Sequence, residues 1–231
     1  MAMRVFLLLV LVFFVLGCSS TPERKRDLTK AKYYTVQSGD TLYAIGFRTG
    51  YGYKKVAAWN SIRSPYKLSV GKKLRLFSTY KKKTKWKKAT KWKKSTKKSK
   101  PKKKWQSSKL NKLHWQWPVK GKLLRGFYAT DKKGIDIAGK VGRKIKAAES
   151  GVVVYSGSSL VGYGRLLIIK HNYLYLSAYG QNRRLLVKEG QKVKRGQVIA
   201  EMGVGVNAKP LLHFEIRRNG DPLNPIKYLP R

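Results

Sequence analysis

Apolar positions fall into four patterns along the chain. Residues 5–16 form an unbroken apolar run behind Arg4, closed by Gly17 and Cys18. A dozen residues is too short for a membrane-spanning helix, which needs about 20, but it has the length and flanks of a secretory leader. Residues 1–17 are therefore expected to be a signal peptide, and the polar residues 18–32 a tether. Short alternations follow. Tyr34-Thr35-Val36-Gln37 alternates as a strand, and Ser38-Gly39-Asp40 reads as a turn with Asp40 or Thr41 placed to cap a helix. In that helix Leu42 and Ile45 share a face, and Gly50 is its stop. Val56 and Trp59, ahead of Asn60, predict a second short helix, and Leu74-Arg75-Leu76 a closing strand. The order over residues 33–77 is strand, helix, helix, strand, a small α+β module.

Residues 78–113 lose all apolar periodicity. From 114 the pattern becomes that of strands separated by glycine-marked turns. Gly151-Val152-Val153-Val154-Tyr155, residues 165–170 and residues 173–179 read as strands, and residues 187–203 as hairpins feeding a strand at 212–217. No segment longer than ten residues carries helical periodicity here. Residues 114–231 are thus predicted to be a mainly antiparallel β domain, a sandwich or barrel-like sheet.

Charge sharpens this division. The chain has 231 residues, with 53 Lys and Arg against 10 Asp and Glu, a net charge of +43. Residues 81–112 hold 17 lysines and no acid, in runs such as Lys81-Lys82-Lys83 and Lys102-Lys103-Lys104, punctuated by Trp86, Trp92 and Trp105. Repulsion at this density predicts a disordered linker over 78–113. Basic stretches with interleaved aromatics suit nucleic acid, but a leader sends the chain where polyanions are peptidoglycan carboxylates, lipopolysaccharide phosphates and anionic lipids, so no nucleic-acid partner is expected. One cysteine excludes a disulfide scaffold or Cys-rich zinc site within one chain, and three histidines restrict metal chemistry.

Val15-Leu16-Gly17-Cys18 resembles a bacterial lipobox. The resemblance implies that Cys18 becomes the N-terminal, lipid-modified residue, and that Ser19 beside it directs the anchored protein to the outer membrane. The 33–77 module resembles a LysM domain, through Tyr34-Thr35-Val36-Gln37-Ser38-Gly39-Asp40-Thr41-Leu42, Ala58-Trp59-Asn60 and Leu68-Ser69-Val70-Gly71-Lys72-Lys73-Leu74. That implies binding of the N-acetylglucosamine-containing backbone of peptidoglycan by Gly39, Asp40, Thr41 and Leu42 in the first loop. Ser61, Ile62, Pro65 and Tyr66 would serve in the loop after the second helix. The side chains of Leu42, Ile45 and Trp59 read as core.

Residues 114–231 resemble the LytM-type domain of zinc peptidoglycan endopeptidases. The resemblance rests on Lys133-Gly134-Ile135-Asp136-Ile137-Ala138, Ala147-Ala148-Glu149-Ser150-Gly151, Gly162-Tyr163-Gly164, Gly190-Gln191-Lys192-Val193 and Leu212-His213-Phe214-Glu215-Ile216-Arg217. The family's His-x-x-x-Asp ligand pair falls on Lys132 and Asp136, its Tyr-x-His on Tyr179-Gly180-Gln181, and its His-x-His on Leu211-Leu212-His213. A hydrolytic zinc site wants three protein ligands and an open position for water. Two ligands with an ammonium at Lys132 hold zinc poorly, and neither Gln181 nor Leu211 transfers protons. The resemblance therefore implies a degenerate domain with no catalytic residues, no bound metal and no cofactor. Its old groove (Lys132, Asp136, Gln181, Leu211, His213) would become a docking face.

Leader, lipobox, LysM module, linker and degenerate LytM domain together resemble the NlpD-type lipoproteins. The family implies a non-catalytic, lipid-anchored outer-membrane protein facing the periplasm. It would bind peptidoglycan and activate N-acetylmuramoyl-L-alanine amidases for septal wall splitting. The alternatives are an active zinc endopeptidase and a structural tether between outer membrane and peptidoglycan.

Overall fold

A computed structural model describes residues 31–78, 113–131, 133–205 and 208–231. The expectations for the leader, Cys18 and most of the linker, and for Lys132 in the groove, fall outside the described residues.

The small module is built as its sequence pattern predicts. β1 (Tyr33–Thr35) precedes α1 (Leu42–Arg48) and α2 (Tyr53–Trp59), and the antiparallel β2 (Lys73–Arg75) returns beside β1 with Tyr34 opposite Leu74. Thr41 is the N-cap of α1, its hydroxyl accepting from Ala44 N at 3.0 Å and so satisfying one of the free donors of the first turn. Asn60 ends α2 and stitches it to β2, donating to the Val56 and Arg75 carbonyls and accepting from Arg75 N. Leu42, Ile45, Val56, Leu74 and Leu76 form the core.

The second domain is one antiparallel sheet. Its strands are β3 (Leu123–Arg125), β4 (Ile135–Ala138), β5 (Lys144–Lys146), β6 (Gly151–Gly157), β7 (Arg165–Lys170), β8 (Tyr175–Leu185), β9 (Lys192–Val193), β10 (Val198–Val204), β11 (Pro210–Arg218) and β12 (Asp221–Leu223). The hydrogen-bonded path is β3-β4-β11-β10-β8-β7-β6-β9; β12 adds to β11, β5 to β10, and β11 also pairs β8. The strand predicted at 173–179 starts later and runs farther. Asn172 Oδ1 accepts from Leu174 N and Tyr175 N, a turn that delays the strand, and β8 then continues through Gln181 at φ 63°.

Both faces of this sheet are covered. Along β7, Leu167 and Ile169 enter the domain's main core, whereas Leu166 and Ile168 point the other way. That second face, with Tyr155, Leu160, Leu176 and Ala178, packs against Ala44 and Phe47 of α1. A helix with apolar residues all round must be buried all round: Leu42 and Ile45 fill the small module's own core, and Ala44 and Phe47 dock the module onto the sheet. The backbones touch where side chains are missing. A Cβ on Gly52 would stand 2.4 Å from the Asn219 carbonyl oxygen, and one on Gly220 would stand 2.5 Å from the Gly52 Cα.

Candidate functional site

Strand β11 sorts its side chains by alternation. Leu212, Phe214 and Ile216 are fully buried in the core, so His213, Glu215 and Arg217 share the opposite face. Pairing with β4 puts His213 opposite Asp136, and pairing with β8 puts it opposite Gly180, next to Gln181. The result is a cleft of about 190 Å³ that brings Asp136, Gln181, Leu211 and His213 together with Arg125, Val161 and Tyr163.

The polar groups of this cleft form a chain of alternating charge. Arg125 Nε donates to Asp136 Oδ2 at 2.6 Å, and His213 Nδ1 donates to Asp136 Oδ1 at 2.6 Å. His213 Nε2 faces Glu215 Oε1 at 3.1 Å, and Arg217 Nε donates to Glu215 Oε2 at 2.6 Å. The Tyr163 hydroxyl donates to Glu215 Oε1 at 2.8 Å. Asp136 and Glu215 are wholly buried and Arg217 nearly so, so each charge depends on its neighbours for what water would otherwise supply. Burial pushes the His213 imidazole down, but bonds to and attraction by Asp136 and Glu215 outweigh it and lift the pKa to about 9. Burial likewise opposes ionisation of Glu215, and Arg217 and His213 overcome it, bringing the carboxyl to about 2. Asp136 is held below the ordinary carboxylate range, His213 and Arg125 prevailing over burial.

Around the charged floor the lining mixes polar Thr130, Asp131, Lys133 and Gln181 with apolar Val161 and Leu211. Val161 lines the cleft and is 61% exposed, and Tyr128, two residues before the lining Thr130, is 74% exposed. Gln181 holds its left-handed backbone by donating its side-chain amide to the Gly162 carbonyl at 2.9 Å.

Residues 34–77 match the LysM domain family, and residues 130–225 match Peptidase family M23. A Pseudomonas aeruginosa protein named Lipoprotein NlpD/LppB homolog is 41% identical over 93% of this chain and 82% of its own length. The chain belongs to the NlpD/LppB family. Another similar protein, Uncharacterized lipoprotein YgeR of Escherichia coli, is 39% identical over 99% of this chain and 93% of its own. Murein hydrolase activator NlpD of E. coli is 34% identical over 86% of this chain and 68% of its own.

In this NlpD/LppB chain the described residues of the cleft do not fit the zinc that a LytM-type domain implies. Asp136 Oδ1 and His213 Nδ1 are bonded to each other, Arg125 occupies the second carboxylate oxygen, and the other His213 nitrogen faces Glu215. The described cation at this carboxylate is Arg125. Among the described residues no cluster of three or more His, Cys, Asp or Glu side chains is placed to hold a metal ion.

The LysM loops are also in place. Gly39 is exposed with open space beside it, and the Asp40 carboxylate accepts from the Tyr34 hydroxyl and from Gln37 N. Thr41 bridges outward, donating to the Val154 carbonyl of β6 at 3.2 Å. Ser61 and Pro65 are exposed, Ile62 is half-buried at the edge of the core, and Tyr66 packs edge-on to Tyr43 and Tyr53. Leu42 is 1% exposed, so its side chain is core and only its backbone faces the loop.

Sequence reasoning missed Arg125, Tyr163, Glu215 and Arg217. For two of them a signal existed: His213, Glu215 and Arg217 repeat every second residue through the apolar strand Leu212, Phe214, Ile216. A polar stripe on a buried strand marks a buried polar network.

Proposed function

We propose that this protein is a non-catalytic activator of N-acetylmuramoyl-L-alanine amidases. In this reading Cys18 carries lipid at the outer membrane, and the LysM module holds peptidoglycan. The M23-like cleft docks an amidase at the septum and shifts it toward its open form, which requires tighter binding to the open than to the closed state. The single observation that carries the reading is the closed chain Arg125–Asp136–His213–Glu215–Arg217. Both imidazole nitrogens of His213 are engaged by carboxylates, so neither is free to bind a metal or take up a proton, and the exposed Val161 and partly exposed Leu211 beside them offer apolar surface to a protein partner. Gln181 and Leu211, standing where the LytM resemblance puts the two catalytic histidines, point the same way, as do relatives named murein hydrolase activators.

The test is release of dye from labelled peptidoglycan by the full chain, by each purified amidase of the same cell, and by mixtures. Release only from a mixture is the expected result. Release by the chain alone, abolished by a chelator, would establish an endopeptidase instead.

A further inference from the structure

Docking of the LysM module creates a cleft that neither domain has alone. Gly39, Asp40 and Thr41 form one wall, and the end of β6 with the turn at Ser158 forms the other, enclosing about 420 Å³. The Thr41–Val154 bond pins the two walls together. This cleft shares Gly157 and Ser158 with a second, lined by Arg165, Arg183 and Arg184. The second shares Ser158, Arg165 and Arg183 with a third that reaches Gln181, which in turn lines the Asp136–His213 cleft. One surface path therefore runs from the LysM loop to the old groove.

Its chemistry changes along the way. The LysM end offers backbone at Gly39 and the exposed hydroxyl of Ser158, while its two carboxylates are already bonded: Asp40 to Tyr34 and Gln37, Glu189 to Ser156 N. The middle carries three exposed arginines. Arg183 pairs with Glu201, Arg165 is held by the Arg183 carbonyl, and Arg184 has no ion pair among the described residues.

We propose that this path binds a peptidoglycan strand with its peptide stems attached, sugars at the LysM end and stem carboxylates on Arg165 and Arg184. The proposal rests on the glycan-binding reading of the LysM module. Guanidinium groups take carboxylates in paired hydrogen bonds, and the carboxylates at the LysM end repel acidic stems toward them. An acidic protein segment would satisfy the arginines but leave the Gly39 backbone and the Ser158 hydroxyl unused.

The full chain is assayed for binding to intact sacculi and to glycan strands stripped of their peptides. Arg184→Glu is compared with Arg184→Lys and with Lys227→Glu, an exposed reversal that lines none of these clefts and makes the same change in net charge. R184E is expected to weaken sacculus binding about two- to fivefold relative to K227E, the range of an exposed charge pair, and to leave stripped strands unaffected. R184K keeps most of the affinity, and Ser158→Trp weakens both ligands. Equal sacculus binding by R184E and K227E overturns the proposal while leaving LysM binding standing. Wild-type binding to neither ligand overturns both readings. Loss of amidase binding by R184E with sacculus binding intact assigns the path to an acidic protein instead.

Discussion

Arg217 Nη1 donates a 2.9 Å hydrogen bond to the Phe47 carbonyl, 170 residues earlier in the chain, and its guanidinium carbon lies 3.6 Å from the centre of the Phe47 ring. The carbonyl belongs to the last turn of α1, where it also accepts from Gly50 N at 3.3 Å. The same guanidinium neutralises Glu215, and Tyr163, which lines the groove, packs edge-on to Phe47 at 5.4 Å. The groove network therefore continues into the interface that holds the LysM module.

Replacing Arg217 by Met should cost about 3–5 kcal/mol, because Glu215 is left buried without its cation. Combining R217M with Glu215→Gln should recover part of that loss. Thermal unfolding of the full chain checks both, and an unchanged melting temperature for R217M would show the pair to be dispensable.

Gly220→Val should release the LysM module from the sheet. Its Cβ would fall 2.5 Å from the Gly52 Cα, and at φ 101° a β-branched residue is strained in any case. Limited proteolysis and small-angle scattering should report a module more readily cleaved, and larger molecular dimensions, than in the wild type.

Residues 114–231 alone should behave poorly in solution. Without α1, the face bearing Leu160, Leu166, Ile168 and Leu176 meets water, and an apolar surface of that kind drives association. Dye binding and sedimentation should show exposed apolar surface and oligomers in the fragment, and neither in the full chain.

The LysM elements were legible because their turn and cap chemistry is local: Ser38-Gly39-Asp40-Thr41 sets the start of α1 within four residues. The docking of the two domains was not. Leu166, Leu167, Ile168 and Ile169 run apolar without alternation, the mark of a strand covered on both faces. What covers it, Ala44 and Phe47, lies some 120 residues earlier across a lysine-rich segment. Asp136 and His213 stood out as remnants of a motif. Arg125 did not, because it reaches Asp136 only through the irregular register of β3 on β4.

Proton linkage at His213 has a definite sign. Its pKa is raised in the folded chain from 6.5 to about 9, so its contribution is complete below pH 6.5 and lost as pH rises through 9. Glu215, depressed from 4.5 to about 2, contributes above pH 4.5 and loses this as pH falls through 2. The difference in melting temperature between wild type and His213→Gln should therefore be largest near pH 5–6 and shrink toward pH 9. A difference that grows with alkalinity would contradict the buried imidazolium.

The most direct measurement is amidase-dependent dye release with the full chain and its Leu211→Arg variant, alongside sacculus binding by each. Leu211 lines the groove and is partly exposed, so the substitution adds a charge to the docking face without emptying the core. Stimulation by the wild type, its loss in L211R and equal sacculus binding by both are predicted. Full stimulation by L211R would contradict docking through the old catalytic groove.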